Sequence, residues 1–225
     1  MKRNPLSRNP FANRRLAGGI PVKAFNTTPT VLAMLALISA IHVLQRVPWE
    51  PLQFMLLNMA FEPLRFLALF LGLDVGSPLP ILLSPLTHAL LHVDIVHLLI
   101  NGAFLLAFGT EIDRRMGSWR FLLLFALCAI GGAMAVELRL LMVEKIVIVI
   151  GASGAISGLF GALVRPMPSH RLLLVGSFVA INVVIGFTGF PGANGIQMVA
   201  WDAHVGGFFT GFLLQPLFRR RGEAP

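Results

Sequence analysis

The sequence predicts an all-α polytopic membrane protein, a bundle of six transmembrane helices whose first connection lies at the membrane surface. Composition is the first reason: 56% of the 225 residues are hydrophobic, 12% are charged and the mean hydropathy is +0.80, too apolar for a soluble domain. The second is spacing, because the apolar residues gather in runs of about twenty, the length that crosses roughly 30 Å of hydrocarbon as a helix. The third is charge. The net charge of +8 would suit a nucleic-acid partner, but the basic residues sit at the termini and in short loops between apolar runs, as orientation signals do, so no nucleic-acid partner is expected. The single cysteine, Cys128, lies inside an apolar run, so no intrachain disulfide can form. One folded unit is expected.

In chain order, residues 1–27 carry Lys2, Arg3, Arg8, Arg14, Arg15 and Lys23 with no acidic residue, and read as a cationic cytoplasmic tail. No convincing cleavage site follows, so the first apolar run, 28–46, is expected to be a retained span. Segment 47–87 is apolar only in pieces, interrupted by Glu50, Glu62, Arg65 and Asp74 and by Pro63, Pro78, Pro80 and Pro85. Its longest uninterrupted piece, Phe66 to Leu73, falls far short of the roughly twenty residues a span needs. Short interfacial or re-entrant helices are expected there. Five further spans are expected at 90–110, 119–141, 146–165, 171–190 and 198–218, followed by a basic tail, 219–225.

Six spans put the N-terminal tail, the loop with Arg114, Arg115 and Arg120, the loop with Arg165 and Arg171, and the tail Arg219 to Arg221 on one side, which gathers most of the 18 Lys and Arg together. A seventh span before residue 88 would spoil that asymmetry. The expected domain is therefore 28–218 between two tails, with both termini cytoplasmic.

On this topology the spans at 90–110, 146–165 and 198–218 all enter from the non-cytoplasmic face. Each carries its polar residues within its first turns: His92, His97 and Asn101 in "HALLHVDIVHLLIN", Ser153 in "GASG", and His204 in "WDAHVGG". At about 1.5 Å rise per residue these groups share a depth. Ionisable groups inside a bilayer are costly and line polar cavities. A hydroxyl is a weak nucleophile unless an imidazole takes its proton during attack, and the same imidazole can then protonate the leaving amine. Ser153 with His204 meets that need. Taken alone, Ser153 would more simply be a small residue that lets helices pack.

The glycines favour contact between the two helices. Gly151, Gly154 and Gly158 give the fourth span a small face, and Gly207 and Gly211 form a small-xxx-small pattern on the face that carries His204. Asp202 is an unsuitable third member, since two residues along a helix is a rotation of about 200°. It is expected to face interfacial water or cap its helix. His88, His92 and His97 do not share one helix face and no carboxylate or cysteine joins them, so no metal is expected. His42 and His170 read as ordinary structural or exposed residues, and no cofactor is expected.

These residues resemble the rhomboid family of intramembrane serine proteases over roughly residues 80–218. "GASG" resembles the family's GxSG, "AHVGGFFTG" its AHxxGxxxG, and "HALLHVDIVHLLIN" its HxxxHxxxxHxxxN. "GTEIDRRMG", Gly109 to Gly117, resembles GxxxExRxG with Asp113 in place of Glu. The resemblance implies a six-helix rhomboid-type bundle in which Ser153 is the nucleophile and His204 the general base and acid. It also implies that His97 and Asn101, with the backbone N–H of Ser153, stabilise the oxyanion, and that His88 and His92 are structural. Two departures stand out. Where the family often has a Tyr packing on the base, this chain has Ser157 and no Tyr anywhere, so another group must hold the His204 ring. Where many bacterial members carry a Trp-Arg pair in the first loop, this chain has Leu83 and Ser84.

The implied activity is cleavage of transmembrane segments near the non-cytoplasmic face. The implied partners are transmembrane protein substrates and the lipid bilayer, in a bacterial inner membrane. A catalytically inactive relative that binds or escorts membrane proteins is the alternative. A small transporter would show two repeated halves, which the sequence lacks.

Overall fold

The computed structural model describes residues 27–142, 147–188 and 200–218. The tails expected up to residue 27 and from 219 lie outside these residues, apart from Thr27 itself, and so do residue 146 and the segment joining the last two expected spans.

The described residues are helical almost throughout. Helix α1 (Pro29–Leu44) starts with proline in its first turn, where the missing N–H would have had no intrahelical acceptor. Segment 47–87 forms three short helices, α2 (Glu50–Leu57), α3 (Pro63–Phe70) and α4 (Pro78–Thr87), the last running into a 3₁₀ turn, His88–Leu90. Proline opens each of the three in its first turn, and none approaches spanning length. Arg65 ties the segment together: Nη1 donates to Asn58 Oδ1 at 2.7 Å, and Nη2 to the Val75 carbonyl at 3.2 Å.

Helix α5 (Ile95–Phe104) continues through a π turn (Leu105–Gly109) into α6 (Thr110–Met116), giving 22 unbroken residues. The expected span 90–110 is thereby shifted toward the C-terminus. Asp94 caps α5 by accepting the His97 N–H at 2.8 Å, which sets the start. Gly117, at φ +86°, ends α6. Helix α7 (Ser118–Leu140) follows at once. These two, Ile95–Met116 and Ser118–Leu140, are long and apolar enough to cross a membrane. Helices α1, α8 (Ser153–Val164) and α9 (Arg171–Thr188) are apolar but have shorter qualifying lengths, and α10 (Trp201–Leu214) is prolonged by a 3₁₀ turn, Gln215–Phe218.

The span expected at 146–165 needs correction, because its helix begins only at Ser153. Residues 147–150 before it are not helical. Val149 forms an isolated antiparallel bridge with Phe61, donating to its carbonyl at 2.8 Å and accepting its N–H at 3.1 Å. Branched side chains lose rotamer freedom in a helix and fit extended backbone, and here the pairing with Phe61 satisfies the backbone groups as well.

The core joins Val31, Met34 and Ile38 of α1, Leu98 of α5, Phe121, Leu124, Phe125 and Cys128 of α7, and Ala155, Ile156 and Leu159 of α8. Helix α10 packs most extensively, lying against α8 and α7. Its seam with α8 is made of glycine: a Cβ added at Gly207 would strike the Gly154 carbonyl, and one at Gly211 the Gly158 carbonyl. Many large apolar side chains are exposed on the described residues. Leu172 and Leu173 of α9 and Leu213 of α10 are at least half exposed, and apolar exposure on this scale suits lipid rather than water.

Candidate active site

Three helix beginnings converge. Ser153 is the first residue of α8, so its own N–H precedes the intrahelical bonding, which starts with the Ile156 N–H donating to Ala152 at 2.9 Å. The chain reaches Ser153 through Gly151, at φ +124°, whose N–H donates to the His88 carbonyl at 3.0 Å. A Cβ on Gly151 would lie 2.6 Å from Cε1 and 2.8 Å from Nε2 of His97. Glycine is therefore needed there for its backbone conformation and for the approach of the His97 ring.

His97 occupies the first turn of α5, fixed by the Asp94 cap. Asn101 lies one turn further, buried. Its Nδ2 donates to the His97 carbonyl at 2.9 Å and keeps a second amide hydrogen. His204 lies in the first turn of α10, its N–H donating to Ala200 at 3.2 Å.

The glycine seam between α8 and α10 brings the two expected reaction partners into contact. His204 Nε2 and Ser153 Oγ are 2.7 Å apart. On the other edge of the ring, His204 Nδ1 is 2.7 Å from Asn182 Oδ1 of α9. Asn182 was not among the residues singled out from the sequence. An amide in the middle of the largely apolar run 171–190 was the available signal, because a polar group at membrane depth needs a partner.

Asp202 does not bond to His204, in keeping with the 200° argument. It is, however, buried rather than facing interfacial water: it ion-pairs with Arg139 of α7, and its Oδ1 accepts the Ala203 N–H at 3.1 Å. Arg139 lies at the end of α7, and the pair joins that end to the start of α10. The expectation for Asp202 considered only its own helix and so missed this neighbour.

His42, His88 and His92 are buried, whereas His170 is exposed. His88 Nδ1 donates to the Ser84 carbonyl at 3.0 Å, so one residue ties α4 to the bend before Ser153. His92 is fully buried, its ring set edge-on to that of His97 at 5.2 Å. Its N–H donates to Gln45 Oε1 at 3.1 Å, and its carbonyl accepts from His42 Nδ1 at 3.1 Å. His42 is thus a buried connector between α1 and the turn before α5. Ser84, which with Leu83 stands where many bacterial members of the resembled family carry Trp-Arg, is buried and bonded within its own helix at 2.7 Å.

The sequence is similar to those of known proteins. The Rhomboid domain family matches residues 82–221. Rhomboid protease GluP of Bacillus subtilis (strain 168) is 36% identical over 132 residues, 56% of this chain and 24% of that protein. RHOMBOID-like protein 4 of Arabidopsis thaliana is 34% identical over 131 residues, 55% of this chain and 31% of its own length. The protein YdcA of Bacillus subtilis (strain 168) is 32% identical over 147 residues, 61% of this chain and 68% of that protein. The match thus spans about a third of the Arabidopsis relative and most of YdcA. With the family's domain covering more than half of its length, and apolar helices that suit a bilayer, this chain belongs to the rhomboid family of membrane proteins.

Proposed function

We propose that the chain is an intramembrane serine endopeptidase that cuts transmembrane segments of membrane proteins near the non-cytoplasmic face. Ser153 Oγ attacks the scissile carbonyl as His204 Nε2 takes its proton. The C–N bond then breaks as His204 returns that proton to the leaving amine. Water, activated in turn by His204, hydrolyses the acyl-enzyme and restores Ser153. The developing oxyanion is met by the Ser153 N–H at the start of α8, where the helix end carries partial positive charge, and by His97 and Asn101.

The observation that carries this reading is the 2.7 Å hydrogen bond between Ser153 and His204 at the closely packed beginnings of two helices. A relative that only binds or escorts membrane proteins would have no need of that pairing. Six spans with both termini cytoplasmic, in a bacterial plasma membrane, belong to the same reading. It is supported by the basic residues at the α6–α7 and α8–α9 connections and at the C-terminus.

Labelling of the purified protein with a fluorophosphonate tests the assignment. Wild type should label and cleave a model single-span substrate, whereas Ser153→Ala, which loses one hydroxyl, should fold and do neither. Cleavage by Ser153→Ala at a near wild-type rate would remove Ser153 from the mechanism.

A further inference from the structure

We propose that Asn182 is the positioning residue for His204, holding the imidazole in the tautomer and orientation in which Nε2 can accept the Ser153 proton. The proposal rests on the reading of Ser153 and His204 as the reacting pair, and it names what holds a ring that no tyrosine can hold in this chain.

The chemistry of the amide decides the direction of each bond. Asn182 Nδ2 lies 2.8 Å from the Phe178 carbonyl, which can only accept, so this end of the amide is the NH₂. A flipped amide would set two oxygens against each other. Oδ1 therefore faces His204 Nδ1 at 2.7 Å, and because a carbonyl oxygen cannot donate, the proton sits on Nδ1. Nε2 is then left with its lone pair toward Ser153 Oγ, also at 2.7 Å, and the hydroxyl donates to it. The opposite tautomer would set a lone pair against the Asn182 oxygen and remove the acceptor that Ser153 requires.

Burial makes the arrangement specific. Among the described side chains of α9, Asn182 is the only buried one, while its neighbours Ile181 and Val184 are exposed. A buried primary amide is costly unless both ends are bonded, and here both are. The helix is seated beside α10 by the stacked rings of Phe178 and Phe208, with centroids 4.4 Å apart and planes 18° apart, one turn before Asn182. That contact aims the amide at the ring.

The test is steady-state cleavage of a single-span substrate by purified wild type, Asn182→Leu, Asn182→Ala and Asn182→Asp, with thermal unfolding of each and Ser153→Ala alongside. Leu and Ala remove the acceptor, and kcat should fall about 10 to 100-fold with KM within about twofold, because the ring must be oriented only when the proton moves. Asp keeps an oxygen that can accept from His204 Nδ1, while its second oxygen suits the Phe178 carbonyl only when protonated, so kcat should recover in part and exceed that of Leu. Full kcat in a folded Leu or Ala variant, a loss confined to KM, or an Asp variant as slow as Leu would each overturn the proposal. So would failure of both Leu and Ala to fold, which would make Asn182 a structural clip. Cleavage by Ser153→Ala would instead sink the underlying assignment, an outcome these arms keep separate.

Discussion

At the scale of single residues, a group used only in the transition state should announce itself in kcat. Asn101 is buried, keeps one amide hydrogen beyond its bond to the His97 carbonyl, and lies one helical turn from His97. If that hydrogen meets the oxyanion, Asn101→Ala should lower kcat about 10 to 1000-fold and move KM much less. Unchanged kcat with a raised KM would make it a substrate-binding residue. The contact between Ser153 and His204 was legible in the sequence because each sits in a local glycine pattern that needs no knowledge of its neighbours. Asn182 and Arg139 were not. Each acquires its role from a partner more than twenty residues away, His204 and Asp202 respectively, and nothing in their local spacing encodes that meeting.

At the scale of elements, the seam between α8 and α10 sets the distance between hydroxyl and imidazole. Helices with glycine at the contact approach until backbone meets backbone, and no side chain there can yield to accommodate a larger one. Gly207→Val should therefore push the helices apart. Overpacking of this kind costs about 1–3 kcal/mol of stability, whereas a misplacement near 1 Å at reacting groups can cost about 100-fold in rate. Fluorophosphonate labelling should fall much further than the unfolding temperature. Gly176→Ala, where an added Cβ meets nothing within 4 Å, should leave both near wild type. Equal labelling by the two variants would show that the seam does not set the site. This seam was readable in advance from "GFFTG" and "GASG", since small-residue spacing reports helix contact directly. The boundaries were less readable. The run before Gly151 is as apolar as a span, yet residues 147–150 are not helical, and Val149 pairs with Phe61, some ninety residues earlier.

At the scale of the whole molecule, the shortened start of α8 and the late starts of α5 and α10 set Ser153, His97 and His204 at the first turns of their helices. On the proposed activity, a substrate held as a transmembrane helix has its carbonyls hydrogen-bonded and covered by its own side chains, so a peptide bond would reach Ser153 only after local unwinding. Exposing unpaired backbone groups to lipid costs several kcal/mol each. On the proposed activity, His97, Asn101 and His204 would lower that cost by offering partners to the freed groups, and water reaching them would hydrolyse the acyl-enzyme. The preferred substrates should therefore be single-span proteins cut near the non-cytoplasmic end of their membrane segment, with a small residue at the cut and a helix-weakening Gly or Pro just beyond it. Replacing those weakening residues by Leu in one cleaved substrate, with the cut-site residue kept, should slow cleavage by raising the cost of unwinding without altering the bond attacked. Mass spectrometry of the products locates the cut. Undiminished cleavage would refute the unwinding argument, and a cut mapped to the cytoplasmic end would refute the proposed orientation of the helices.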